Sequence, residues 1–94
     1  MIGLAKQKIP CGKLLVVKLE YEDKIINIEL LGDFFLYPEE TIYKIEGAIR
    51  GMDVNVSEAD IVSKVKEITD QSSITMLGIT PEAIAQTVKA AVKK

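Results

Sequence analysis

Chemistry in a protein needs nucleophiles, acid–base groups or metal ligands brought together, and this 94-residue sequence holds few of them. It has no histidine and a single cysteine, Cys11. Ser–His and Cys–His nucleophilic pairs are excluded on that ground. So are most transition-metal sites, which need clustered nitrogen and sulfur ligands. No histidine or clustered cation lies near Cys11 in sequence to activate its thiol, so it reads as an inert small residue. The remaining acid–base candidates are Asp33, Glu39 and Glu40, and neighbouring carboxylates at a helix start are commonly structural. The glycines are scattered and fit neither the dinucleotide nor the P-loop fingerprint. Gly47-Ala48-Ile49-Arg50-Gly51 has three residues between its glycines where a KH-type clamp has two. It reads as a last helical turn stopped by Gly51. The expectation is a chain with no catalytic, cofactor-binding or metal-ligating residue of its own.

The elements that would position any binding site can be read from periodicity. Residues 1–9 form a short edge strand whose lysines, Lys6 and Lys8, discourage strand addition. Pro10-Cys11-Gly12 is a turn. From Lys13 to Glu22, Leu15, Val17, Leu19 and Tyr21 share one face by period two, against Lys18, Glu20 and Glu22 on the other. Asp23-Lys24 reverses the chain, although the usual glycine is missing. The return strand, Ile25 to Leu31, puts Ile26, Ile28 and Leu30 on its core face. A first helix is predicted from Pro38 to Arg50 on the stripe Ile42, Ile45 and Ile49. Pro38 would sit in its first turn, and Glu39 and Glu40 would face the positive end of its dipole. Ser57 caps a second helix with Ile61, Val65 and Ile68 inside. Residues 71–79 read as a loop, and Thr80-Pro81-Glu82 starts a third helix that buries Ile84, Val88 and Val92. Its terminal Lys89, Lys93 and Lys94 suit a C-terminal dipole end. The fold class is α+β: a three-stranded antiparallel sheet followed by three helices packed on one face.

Composition sets the outer limits. Residues 1–94 make one domain, and 48% hydrophobic with 28% charged residues suits a soluble fold with a real core. A net charge of −2 and a pI near 5.1 argue against nucleic-acid binding, which rests on phosphate neutralisation by Lys and Arg. A single cysteine cannot form an internal disulfide, so a cytoplasmic location is expected. Lys6 interrupts the N-terminus before any signal-peptide core forms, and no apolar run reaches membrane-spanning length.

One stretch stands apart: Gly32-Asp33-Phe34-Phe35-Leu36-Tyr37-Pro38-Glu39-Glu40, between the hairpin and the first helix. It holds both Phe residues of the chain, in a sequence only 5% aromatic. Two readings are open. The Phe pair plugs the gap between sheet and helix, or one or both rings face a partner protein. The candidate interface is therefore Gly32, Asp33, Phe34, Phe35 and Tyr37, with Asp33 fixing the corner or pairing with a cation across the interface.

This run, with Gly12-Lys13-Leu14 opening the strand before it and Gly78-Ile79-Thr80-Pro81-Glu82 opening the last helix, resembles the C-terminal accessory domain of lipoate–protein ligases. The likeness spans nearly the whole chain, which is similar to the free-standing small subunit of the bipartite, archaeal-type ligase. The resemblance implies a heterodimer with a separate catalytic large subunit. It implies a need for the small subunit in the ATP-dependent activation of lipoate to lipoyl-adenylate, but not in transfer of the preformed lipoyl group to the acceptor lysine. ATP, Mg and lipoate are then expected on the partner, and no activity is expected from this chain alone. The implied fold is one shared with small sulfur-acceptor and iron–sulfur scaffold proteins. The competing classes are a sulfur-acceptor or iron–sulfur assembly protein of that fold, which would need a reactive Cys11, and a non-catalytic adaptor.

Overall fold

The computed structural model describes residues 1–9, 13–70 and 74–92. The alternation read from the sequence builds the sheet: β1 (Ile2–Lys8), β2 (Leu14–Tyr21) and β3 (Ile25–Gly32), antiparallel in the order β1-β2-β3. Leu15, Val17, Leu19 and Tyr21 are buried on its inner face, and Lys18, Glu20, Asn27 and Glu29 are exposed on its outer one. On β3 the expected phase fails at the start. Ile25 is buried and Ile26 is 42% exposed, because the register shifts between Glu20 and Tyr21 and moves one residue to the opposite face.

Helices α1 (Thr41–Ile49), α2 (Glu58–Thr69) and α3 (Pro81–Val92) cover the inner face. Helix α3 packs on β1 and β2, α1 packs on β3, and α2 packs against both other helices. Ile45 and Ile49, Ile61 and Val65, and Ile84 and Val88 enter one continuous core with Leu15 and Val17. The two later helices start as their sequences require. Ser57 Oγ accepts from Asp60 N–H at 3.1 Å, and Thr80 Oγ1 accepts from Ala83 N–H at 3.0 Å. Lys89 is held on the fold, its Nζ donating to the Val54 carbonyl at 2.9 Å. Lys93 and Lys94, like the expected turn at Pro10-Cys11-Gly12, lie outside the described residues.

Two further expectations are corrected. Helix α1 begins at Thr41, three residues after Pro38, and its first turn carries no acid. The cause is a second, two-stranded antiparallel sheet in which β4 (Phe35–Tyr37) pairs with β5 (Thr75–Leu77). Tyr37 belongs to a strand, so Pro38-Glu39-Glu40 become a turn closed by Thr41 N–H on the Pro38 carbonyl at 3.0 Å. The segment after α2, read as loop, supplies β5, so a strand separates the second and third helices. The α+β class stands, with one sheet more than expected.

The core makes a direct prediction. Ile84 is fully buried among both sheet and helix residues. Ile84→Ala is expected to cost about 3 kcal/mol, the lost transfer energy plus an unrelaxed cavity. Denaturant unfolding checks this, and a change below about 1 kcal/mol would contradict the packing described.

Candidate partner interface

The corner is built from the end of β3. Gly32 has φ 154°, and a Cβ there would run into the carbonyl oxygen of Leu14, so a side chain is excluded by both backbone conformation and close approach. The next residue ties the corner down twice. Asp33 Oδ1 accepts from Leu14 N–H at 2.7 Å, and Asp33 N–H donates to the Leu14 carbonyl at 3.3 Å. The carboxylate stands where a strand carbonyl would be, so Asp33 fixes the corner.

The two Phe residues part company. Phe34 is half-buried, leans over Gly32 and packs against the core. Phe35 is 50% exposed. Along β4 the alternation sends Leu36 inward, where it is buried, and Phe35 and Tyr37 outward. Their rings stack with centroids 6.4 Å apart and planes within 3°. Leu77 of β5 lies directly opposite Phe35 and is likewise exposed. The result is an apolar shelf of Phe35, Tyr37 and Leu77. A groove of about 310 Å³ beside it is walled by Leu31, Phe34, Phe35 and Ile42, with Glu39 as its charged member.

Of the five residues expected at the interface, Phe35 and Tyr37 thus project outward, Phe34 packs on the core, and Gly32 and Asp33 set the backbone. Sequence reasoning missed Leu77 and Leu31. Leu77 belongs to the shelf through pairing with Phe35, forty-two positions away, which leaves no local pattern.

Reactive constellations are absent elsewhere among the described residues. No group of three or more Cys, Asp or Glu side chains there could hold a metal ion. A second hollow, about 420 Å³, places Lys18 and Arg50 with Glu20, Glu29 and Glu46. Its mixed charge gathers no cationic set for a phosphate. Cys11 lies outside the described residues. No helix among the described residues is long and apolar enough to cross a membrane.

Fold and surface together define a small α+β domain with an exposed aromatic shelf. No protein-family model matches the sequence, and neither does any protein of curated function. Among solved structures, the chain is similar to one from an archaeal lipoylation system, described as a bi-partite lipoate protein ligase and its E2 lipoyl domain from Thermoplasma acidophilum. The two superimpose with a TM-score of 0.75 at 26% sequence identity, over 94% of each chain.

Proposed function

We propose that this protein is the small accessory subunit of a two-part lipoate–protein ligase. It binds a separate catalytic subunit and is required there for ATP-dependent activation of lipoate to lipoyl-adenylate. The observation that carries this reading is the stacked, outward-facing pair Phe35 and Tyr37, which rises from the same stretch that carries the sequence resemblance. The likeness to a lipoylation-system chain supports it.

The work of such a subunit is geometric. ATP, Mg and lipoate bind on the large subunit, and no residue of this chain takes part in bond making. A rigid domain seated beside the site excludes water and holds the reacting carboxylate and α-phosphate in line. The shelf is suited to docking because its two rings stack on each other, and each ring holds the other in place, which limits the side-chain entropy lost on association. Asp33, Glu39 and Glu40 lie at its border, and among the described residues none of the three is in an ion pair. The partner surface that fits is an apolar pocket rimmed by Lys or Arg.

The test is pyrophosphate release from ATP and lipoate by the large subunit, with and without this chain. Release only when both are present is the expected result. Equal release without it would overturn the proposal.

One feature favours a second reading, an acceptor domain that itself receives the lipoyl group: Lys24 lies exposed at the tip of the β2–β3 hairpin, next to Asp23. Intact mass after incubation with ligase, ATP and lipoate separates the two. An acceptor gains one lipoyl group and loses it in Lys24→Arg, whereas an accessory subunit keeps its mass.

A further inference from the structure

Among the described residues, the outer edge of β1 is an unpartnered row of backbone groups. Its phase is fixed at both ends, since Met1 and Tyr21 exchange two hydrogen bonds and Ile9 N–H donates to the Lys13 carbonyl at 2.7 Å. Antiparallel pairing alternates, so the odd residues of β1 bond to β2 and the N–H and C=O groups of Ile2, Leu4, Lys6 and Lys8 point away from it. Among the described residues nothing hydrogen-bonds to these groups. The opposite edge of the same sheet is guarded. On β3, Ile25 bonds to Met52 and Gly51, and Leu30 N–H donates to Glu46 Oε2 at 2.9 Å.

The side chains of the same four residues stand on the outer face. Ile2 is 70% and Leu4 59% exposed, and Lys6 and Lys8 are exposed beyond them. β1 contains no acid, and its neighbours across β2 on this face are Glu20 opposite Ile2, Lys18 opposite Leu4, Val16 opposite Lys6 and Leu14 opposite Lys8. Along β1 itself the outward side chains are therefore apolar at Ile2 and Leu4 and cationic at Lys6 and Lys8, with the one acid of the neighbouring strand at the Ile2 end. On the inner side Gly3 leaves no room for a side chain, because a Cβ would strike the Ala91 carbonyl, so the α3 backbone lies close against β1.

We propose that β1 accepts a further strand from a partner protein, an extended segment with two acidic residues facing Lys6 and Lys8 and two apolar residues facing Ile2 and Leu4. Backbone bonding to an open edge gives affinity, and alternate side chains give specificity. Lys6 and Lys8, which discourage addition of an uncharged or basic strand, thereby select an acidic one. In antiparallel order the segment reads acid-x-acid-x-apolar-x-apolar. A second copy of this chain is the poorer occupant. Two-fold pairing about Ala5 sets the two Lys6 side chains on one diagonal and offers no acid to any lysine. The surface shares no residue with the aromatic shelf, so the inference does not rest on the ligase reading.

Titration of the isotope-labelled protein with the peptide Glu-Thr-Glu-Thr-Val-Thr-Val, blocked at both ends, tests it by amide chemical shift and hydrogen exchange. The expected result is shifts and slowed exchange concentrated at Ile2, Leu4, Lys6 and Lys8. Leu4→Pro removes an outward N–H and no bond to β2, and is expected to abolish the effect. Lys6→Glu with Lys8→Glu is expected to weaken binding roughly tenfold, and a peptide with Lys in place of Glu is expected to restore it. Shifts located elsewhere, no shifts at all, or equal binding of both peptides to the unaltered protein would overturn the proposal. Concentration-dependent protection of β1 without peptide would also overturn it, by assigning the edge to a second copy.

Discussion

Replacing Phe35 and Tyr37 together with alanine is expected to weaken association with the catalytic subunit by roughly a thousandfold while leaving this domain folded. Aromatic side chains at the centre of an interface each contribute about 2 kcal/mol or more when truncated, and two of them account for the factor. The free domain loses little. Both rings are at least half exposed, so removing them uncovers few buried neighbours and forfeits chiefly their mutual stacking, about 1 kcal/mol. Titration calorimetry against the large subunit measures the first effect and a thermal melt the second. Pyrophosphate release should fall at low subunit concentration and recover as the subunits are concentrated, because the substitution acts on assembly and not on the chemical step. Phe34→Ala should behave in the opposite way. Its ring packs on the core, so the domain melts earlier, yet the folded fraction binds. If the double variant binds like the unaltered protein, the shelf is not the interface, and the accessory role would have to be carried by another surface.

That division between two adjacent Phe residues shows where sequence reading ran out. Composition was enough to single out the corner, since three aromatics in four positions cannot all be incidental in so aromatic-poor a chain. It could not say which ring turns inward, because that depends on β4. Three residues of strand carry too little alternation to be told from a helix lead-in, and their partner lies at residues 75–77. Pro38 pointed the wrong way for a related reason. Proline is favoured in a first helical turn, but it equally ends a strand, and only the β4–β5 pairing decides. By contrast the second half of β2 was legible, because Lys18 and Glu20 alternate with Val17, Leu19 and Tyr21 and admit one inner face. Its first half is apolar on both sides and reads as covered twice, yet Leu14 is exposed. The Ile25 and Ile26 exchange was not legible. A one-residue shift of register is set by how the hairpin meets the 51–53 segment, where Gly51 and Met52 bond to Ile25. The caps at Ser57 and Thr80 were found because capping is local, a side chain reaching a backbone group three residues on. The Asp33 bond to Leu14 spans nineteen residues, so its corner-fixing role carried no local signal.

Gly32→Ala is expected to be strongly destabilising although Gly32 lies outside the core. The new methyl cannot fit, because the Leu14 carbonyl occupies its position, and φ 154° is a conformation that side chains rarely adopt. The backbone of β3 must swing away from β2, and both Asp33 bonds to Leu14 go with it. Strain of about 1–3 kcal/mol and two hydrogen bonds of about 1 kcal/mol each give a loss on the order of 4 kcal/mol. For a domain of this size that lowers the melting temperature by roughly 15 °C or more. Asp33→Ala should cost less, about 1–2 kcal/mol, because it leaves the backbone in place and removes only the acceptor for Leu14 N–H. Asp33→Asn keeps an acceptor oxygen and separates the two roles that this residue could play. Near-normal stability together with near-normal affinity for the large subunit means that Asp33 works as a strand-closing group. Normal stability with weakened affinity would instead reveal a cation facing it across the interface. A melting point for Gly32→Ala within a few degrees of the unaltered protein would show that β3 can yield at this point, and the shelf would then be a movable feature of the fold and not one set by the sheet.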